Sequence, residues 1–354
     1  LFNEVANYTS QLWCGGRKTK KGTGGWITGN AVCCPHNGET TDTRGRGGLI
    51  VNTDGNVSWH CFNCQFTASY VTGRPLSIKF KKLLNWMGAP DGEIQRLVIE
   101  ALRVKELFTP DQVLPEPEPI NFTPQRLPKS ASSFMELATV YELQDWKNVP
   151  KEFHTAVEYV GNRQINMQKY EFLWSDDTEQ KLKYRVIIPF KYQKQTVGYM
   201  ARAVNDGILP KYLSYFPPEL VFNLDNQSYD NKFVIVCEGP FDAMSIDGVS
   251  VQHNEISLSQ AEQIEALGKQ IIVVPDFDKQ IREKKKSKWS GQHLVDKAIE
   301  YGWGVSFPVW NETCKDINEA VCKYGKLFVL KAILAATETN KLKIELMKKR
   351  YAAK

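Results

Sequence analysis

Phe233-Val234-Ile235-Val236-Cys237-Glu238-Gly239-Pro240-Phe241-Asp242 is an apolar strand that closes on two carboxylates. The pattern recurs downstream. Gln270-Ile271-Ile272-Val273-Val274 closes on Asp276-Phe277-Asp278, and the shorter Val305-Ser306-Phe307 is followed by Cys314-Lys315-Asp316-Ile317-Asn318. Continuous apolar runs suit parallel strands covered on both faces. Helical stretches separate them. Ser259-x-x-Glu262 reads as a capping box with Gly268 closing that helix, and Leu294, Val295, Ala298 and Ile299 mark the apolar face of another. Strand and helix in alternation predict an α/β domain with a parallel sheet. The acids then gather at the C-terminal edge of that sheet, where open α/β folds place their sites. Asp-x-Asp at a strand end offers two oxygen ligands to a hard cation such as Mg²⁺, which also takes substrate phosphates. Phe277, between the two, is expected to face the core and turn both acids outward.

Upstream, Tyr184–Phe190 and Val197–Arg202 read as neighbouring strands joined by a Gln/Lys turn. Leu114-Pro115-Glu116-Pro117-Glu118-Pro119, with Pro124 and Pro128 after it, excludes helix and central strand and reads as a linker. Residues 76–108 carry Leu83, Leu84, Met87, Leu97, Val98, Ala101 and Leu102 at helical spacing. Before them, Cys33-x2-His36 and Cys61-x2-Cys64 stand 24 residues apart between short β-type runs, the pattern of a tetrahedral zinc knuckle. Cys34 beside Cys33 leaves a second reading of the first knuckle open. His60 and Cys14 are read as non-ligands. Trp59, Phe62 and Phe66 either form the small core of this region or stack on bases.

The chain has 354 residues, 42% hydrophobic and 24% charged, which excludes a disordered, collagen-like or coiled-coil protein. Lys plus Arg is 45 against 40 acids, a formal +5. The excess is local: residues 279–288 hold six basic residues against Glu283, and residues 341–354 hold six against Glu345. Such clusters fit a polyanion partner. Five of eight cysteines lie within the first 64 residues, which favours a reducing compartment and a metal site over a disulfide scaffold. No apolar run approaches the roughly 20 residues of a membrane span, and no leader is read at the start, so a cytoplasmic chain is expected. No GxxxxGK[ST] motor motif occurs.

Glu-Gly-x-x-Asp, then Asp-x-Asp, then Lys-Asp-x-Asn resembles the TOPRIM domain shared by bacterial-type primases, topoisomerases and related nucleases. Arg185–Phe190, Gly198–Arg202 and Pro210-Lys211-Tyr212-Leu213 resemble the basic lobe of primase polymerase domains. With the N-terminal zinc ribbon, the chain is most similar to bacteriophage DNA primases of the T-even type. Asn318 stands where an acid is often found, and His36 where some relatives have cysteine. The resemblance implies α/β (α+β overall) architecture in five parts: a zinc ribbon over 1–75, a helical segment and Pro-rich linker over 76–130, a basic lobe over 131–230, a TOPRIM domain over 231–325 and a basic C-terminal helix over 326–354. It implies synthesis of short RNA primers, with Mg²⁺ or Mn²⁺ held by Glu238, Asp276 and Asp278, supported by Asp242 and Asp316. Arg185, Arg202 and Lys211 would contact nucleotide or template, and Cys33, His36, Cys61 and Cys64 would hold Zn²⁺. The implied partners are single-stranded DNA, ribonucleoside triphosphates and a replicative helicase on a separate chain, in the host cytoplasm if the chain is viral. The alternatives are a zinc-ribbon/TOPRIM protein that only binds DNA in recombination or repair, and a TOPRIM nuclease or topoisomerase.

Overall fold

The computed structural model describes residues 3–107, 121–143, 148–178, 181–228, 230–253, 255–277, 289, 291–310 and 314–353. Its backbone divides into two compact units, Leu1–Pro119 and Ile120–Lys354. The Pro-rich Leu114–Pro119 lies outside the described residues.

The first unit opens with helix α1 (Glu4–Cys14) and builds one antiparallel sheet in chain order from β1 (Lys20–Lys21), β2 (Ile27–Gly29), β3 (Gly47–Val51), β4 (Val57–Cys61) and β5 (Thr67–Tyr70). Along β4 the side chains alternate, with Val57, Trp59 and Cys61 inward, the period-two signature of a sheet with one covered face. Trp13 of α1 meets Trp59 edge-on at 4.6 Å. A Cβ on Gly47 would lie 2.7 Å from the Trp59 ring, so only glycine lets the indole lie flat on β3. Helices α2 (Ile78–Trp86) and α3 (Asp91–Leu107) supply Phe80, Leu83, Leu84, Leu97 and Ala101 to this same core. Helices α2 and α3 therefore share one core with the sheet. A sheet this small cannot bury its apolar face without helices against it.

The second unit holds two sheets. The first is antiparallel, ordered β10-β9-β8-β7-β6, from β6 (Ser132–Ser133), β7 (Leu173–Trp174), β8 (Arg185–Tyr192), β9 (Gln195–Ala203) and β10 (Tyr212–Tyr215). Helices α4 (Phe134–Leu143) and α5 (Lys151–Asn162) lie between β6 and β7 in sequence. The expected turn between β8 and β9 is Gln193-Lys194, both left-handed at φ 51 and 64, the conformation whose twist matches a two-residue hairpin.

The second sheet runs β12-β11-β13-β14-β15, from β11 (Phe233–Cys237), β12 (Val249–Ser250), β13 (Gln270–Val273), β14 (Gly304–Ser306) and β15 (Thr337–Glu338). Its first four strands are parallel and β15 is antiparallel. Helices α6 (Pro240–Ile246), α7 (Leu258–Glu265) and α8 (Gln292–Tyr301) connect the parallel strands; α9 (Ile317–Tyr324) and α10 (Lys326–Ala335) precede β15, and α11 (Lys341–Ala353) follows it. The capping box of α7 is Ser257 with Gln260, two residues before the expected Ser259/Glu262 pair: Ser257 Oγ accepts the Gln260 amide at 3.1 Å and Gln260 Oε1 accepts the Ser257 amide at 3.0 Å. Gln fills the third position as well as Glu does. Strand β11 is flanked by β12 on one side and β13 on the other, so the order reverses there and opens a crevice between their C-terminal ends. Among the described residues no helix is long and apolar enough to cross a membrane.

Candidate functional site

Glu238 is the first residue past β11. Gly239 caps α6 and Pro240 begins it, which suits proline's missing N–H and fixed φ. Asp242 then falls in the first turn of that helix, buried at 7% exposure. A Cβ on Gly239 would come within 3.0 Å of Asp242 Oδ2, so glycine permits this close approach. Asp276 follows β13, and its amide donates to Glu238 Oε1 at 3.3 Å. Asp316 caps α9, accepting the Glu319 amide at 2.7 Å. All four acids line one cavity of about 360 Å³.

Burial and the nearby Asp242 push the Glu238 carboxyl up to about 7. Asp242 is raised well above the usual carboxylate range by burial, then by Asp316 and Asp276. Among the described residues no lysine or arginine pairs with Glu238 or Asp242. Clustered acids that resist common ionisation are what a divalent cation relieves.

Four cations line the same cavity, Arg163, Arg202, Lys211 and Lys315, and Lys315 Nζ lies 4.0 Å from Asp316 Oδ2. Arg202 lies 4.5 Å over the Tyr212 ring, is 8% exposed, and has a buried Nε with no hydrogen-bond partner among the described residues. Burial lowers the Lys211 ammonium, and Arg202, Lys315 and Arg163 lower it further. Arg163, at the end of α5, packs between the Tyr159 and Phe241 rings at 4.8 and 4.6 Å. Its Nη1 donates to Asn318 Oδ1 at 2.7 Å. Asn318 returns Nδ2 to the Arg163 carbonyl at 2.9 Å, and its amide donates to Asp242 Oδ1 at 2.9 Å. Asn318 thus ties Arg163 to Asp242.

Of the expected residues, Glu238, Asp242, Asp276, Asp316, Arg202 and Lys211 meet at this cavity. Asp278 and the basic run over 279–288 lie outside the described residues. Arg185 does not reach the cavity. It is fully buried, donating to the carbonyls of Lys181 at 2.9 Å, Ala201 at 3.2 Å, Pro210 at 2.6 Å and Lys211 at 3.3 Å. It opens β8, and its guanidinium satisfies carbonyls that burial would otherwise strand. Its effect on the site is indirect, by seating the Pro210-Lys211 backbone. Arg163, Lys315 and Tyr212 were not singled out as site residues. Lys315 and Tyr212 lie within the Lys-Asp-x-Asn and Pro210–Leu213 stretches themselves, whereas Arg163 carries no local signal.

In the first unit the sulfurs of Cys33, Cys34, Cys61 and Cys64 lie within 4.8 Å of one another. Two pairs, Cys34–Cys61 and Cys33–Cys64, stand at 3.5 Å. A tetrahedral zinc with Zn–S near 2.3 Å would set its sulfurs about 3.8 Å apart, so the donors fit. His36, expected in the first knuckle, is outside this group: it is exposed and its ring stacks on Trp86 at 4.6 Å. Pro35 is the second residue of the 3₁₀ turn Cys34–Asn37, in which Cys34 is buried and His36 exposed. Burial raises the thiols of Cys33 and Cys34, Cys34 to about 11. Burial also opposes the Cys61 thiolate, but the Cys64 and Asn63 amides outweigh it and hold that thiol below its usual range. Trp59 and Phe66 are buried, whereas Phe62 is 61% exposed.

No family model and no curated protein matches the chain. Among solved structures, the zinc-binding and RNA polymerase domains of the Aquifex aeolicus primase are similar, with TM-score 0.44 and 16% identity over 98% of this chain and 88% of that one. Identity at that level does not carry residue roles from one chain to the other.

Proposed function

We propose that this chain is a DNA primase that makes short RNA primers on single-stranded DNA. The observation that carries the reading is the two-signed cavity: four acids and four cations line it together, at the reversal point of a parallel sheet. That pairing matches a metal–triphosphate. The carboxylates offer hard oxygen donors, and a metal of this kind needs only one or two of them beside substrate phosphates.

Glu238 and Asp276, with Asp278 beyond them in sequence and Asp242 and Asp316 in support, would hold Mg²⁺ or Mn²⁺; the bound ion supplies charge neutralisation at the phosphates and activation of the attacking 3′-hydroxyl. Arg202 would grip a phosphate with its planar fork. Lys211, Arg163 and Lys315 are like charges crowded together, so a polyanion relieves their repulsion. They would orient the triphosphate beside the acids, and Asn318 keeps Arg163 in register with Asp242. Cys33, Cys34, Cys61 and Cys64 would hold Zn²⁺, which cross-links the first unit. On this reading the partners are the template, ribonucleoside triphosphates and a helicase on a separate chain in the cytoplasm.

Incubation with single-stranded DNA, four ribonucleotides and Mg²⁺ tests it. Primers are expected. Cut DNA would make the chain a nuclease, and DNA binding without product would leave it a non-catalytic binder.

A further inference from the structure

The C-terminal helix reaches the backbone of Asp276. Lys348 of α11 pairs with Asp296 of α8 at 2.5 Å and with Glu345 at 2.8 Å, and is itself 13% exposed. That residue of the basic Lys348-Lys349-Arg350 run is therefore committed to holding α11 on α8 and is not presented to a polyanion. Three residues on, Tyr351 stands among three rings: Phe277 at 4.9 Å, Trp289 at 5.2 Å and Phe307 at 5.8 Å. Trp289 is 2% exposed, and its indole N–H donates to the Asp276 carbonyl at 2.7 Å. Phe277 is buried, and its amide donates to the Lys315 carbonyl at 2.6 Å. A Cβ on Gly291, just before α8, would sit 2.7 Å from the Asp276 carbonyl oxygen, so α8 starts hard against this backbone. Asp276 is thus held at its amide by Glu238, at its carbonyl by Trp289, and through its neighbour Phe277 by the aromatic box.

We propose that Tyr351 is a positioning residue for Asp276: by closing the box on Trp289 and Phe277, the C-terminal helix sets the strand end that presents this carboxylate to the cavity. The proposal deepens the reading of Asp276 as a divalent-cation ligand and rests on it. The coupling is one of packing. The Tyr351 hydroxyl makes no hydrogen bond among the described residues, so the ring and not the hydroxyl carries the effect.

The experiment compares the full-length chain with Tyr351→Ala, Tyr351→Phe, Tyr351→Leu and Lys348→Met. Amide exchange of a peptide spanning 274–277 is read against one spanning 233–237. Mn²⁺ binding is read by the loss of the free-ion EPR signal, with Asp276→Asn as control. Tyr351→Ala should speed exchange at 274–277 and leave 233–237 unchanged. Mn²⁺ affinity should fall about tenfold, the usual cost of losing an outer support of a metal ligand. Tyr351→Phe should behave as the parent. Lys348→Met should shift both readouts in the same direction by loosening α11. Tyr351→Leu, which retains an apolar side chain, replaces the alanine variant if that variant does not fold. Unchanged exchange at 274–277, or faster exchange with unchanged Mn²⁺ affinity, overturns the positioning role. If Asp276→Asn itself leaves Mn²⁺ binding intact, the ligand reading of Asp276 fails, and the exchange data still decide whether Tyr351 holds this backbone.

Discussion

The main-chain amide of Asp276 donates to Oε1 of Glu238 at 3.3 Å, joining the C-terminal ends of β11 and β13 through the two residues that bring carboxylates there. The bond uses the backbone of Asp276 and not its carboxylate, and the residue lines the cavity. Position and charge are therefore separable by mutation.

Asp276→Asn keeps the amide donor and the shape of the strand end. The fold should survive with an unfolding temperature at or above the parent's, because one of several crowded negative charges is gone. Primer yield per folded molecule should fall by about two orders of magnitude or more, since charge stabilisation during transfer is lost. Asp278→Asn is expected to do the same. Single-stranded DNA binding should persist in both. Near-normal primer yield from either variant would remove that residue from the metal site.

Glu238 sets a pH dependence in the metal-free protein. Its carboxyl is raised from an ordinary 4.5 to about 7 by burial and Asp242. Between those values the folded chain keeps a proton that the unfolded chain has lost. Stability therefore falls as pH rises through this window, and the cost is complete above about 7. Glu238→Gln should flatten the slope, matching the parent near pH 4 and exceeding it at pH 8. Added Mg²⁺ should raise the parent's unfolding temperature more at pH 8 than at pH 5, where protons compete for the same oxygens. Thermal melts across pH decide both points.

Arg185 and Arg202 share a sheet but not a role. Arg185→Met removes the side-chain donor from four main-chain carbonyls, of which that of Lys211 also accepts the Ala203 amide, and should cost about 3 kcal/mol in denaturant unfolding. Arg202→Gln should leave stability near the parent's and weaken triphosphate binding by about tenfold, the scale of one charge-assisted contact. A stable Arg185→Met protein with impaired nucleotide binding would reverse the two assignments.

The first knuckle separates by metal analysis. Cys34→Ser should release zinc and loosen the first unit, as should Cys61→Ser and Cys64→Ser. His36→Asn should retain a full equivalent and lose only its stacking on Trp86. Zinc loss from His36→Asn with retention in Cys34→Ser would restore the paired two-residue spacing.

Asn318 is expected to couple Arg163 to Asp242. Asn318→Leu removes the acceptor for Arg163 but keeps the main-chain donor to Asp242. It should weaken nucleotide binding, and Arg163→Gln added to it should cost little more. Additive losses in that double-mutant cycle would mean the two residues act independently.

Much of the second unit could be read from local pattern. The apolar runs at 233–237 and 270–274 are β11 and β13, and the Gln/Lys turn is the β8–β9 hairpin, because strand periodicity and turn chemistry are properties of neighbours in sequence. The carboxylates after β11 and β13 followed for the same reason: a residue just past a parallel strand lies at the sheet's edge wherever the rest of the fold goes.

Three features depended on residues far apart in the chain. Arg163 is held at the cavity by Asn318, 155 positions away, which accepts its guanidinium, and by the ring of Phe241. Arg185 looks like a surface cation by type and strand position, but carbonyls from four other residues enclose it. The choice of Cys34 over His36 turned on Pro35 bending a 3₁₀ turn and on Trp86, 50 residues away, offering its face to the imidazole. By itself the sequence determined which segments are strands and which chemistry stands at their ends, because backbone preference and side-chain period are local. Tertiary structure decided which charges meet, which are buried and which thiols converge, because burial and pairing belong to the space between distant segments and have no period along the chain.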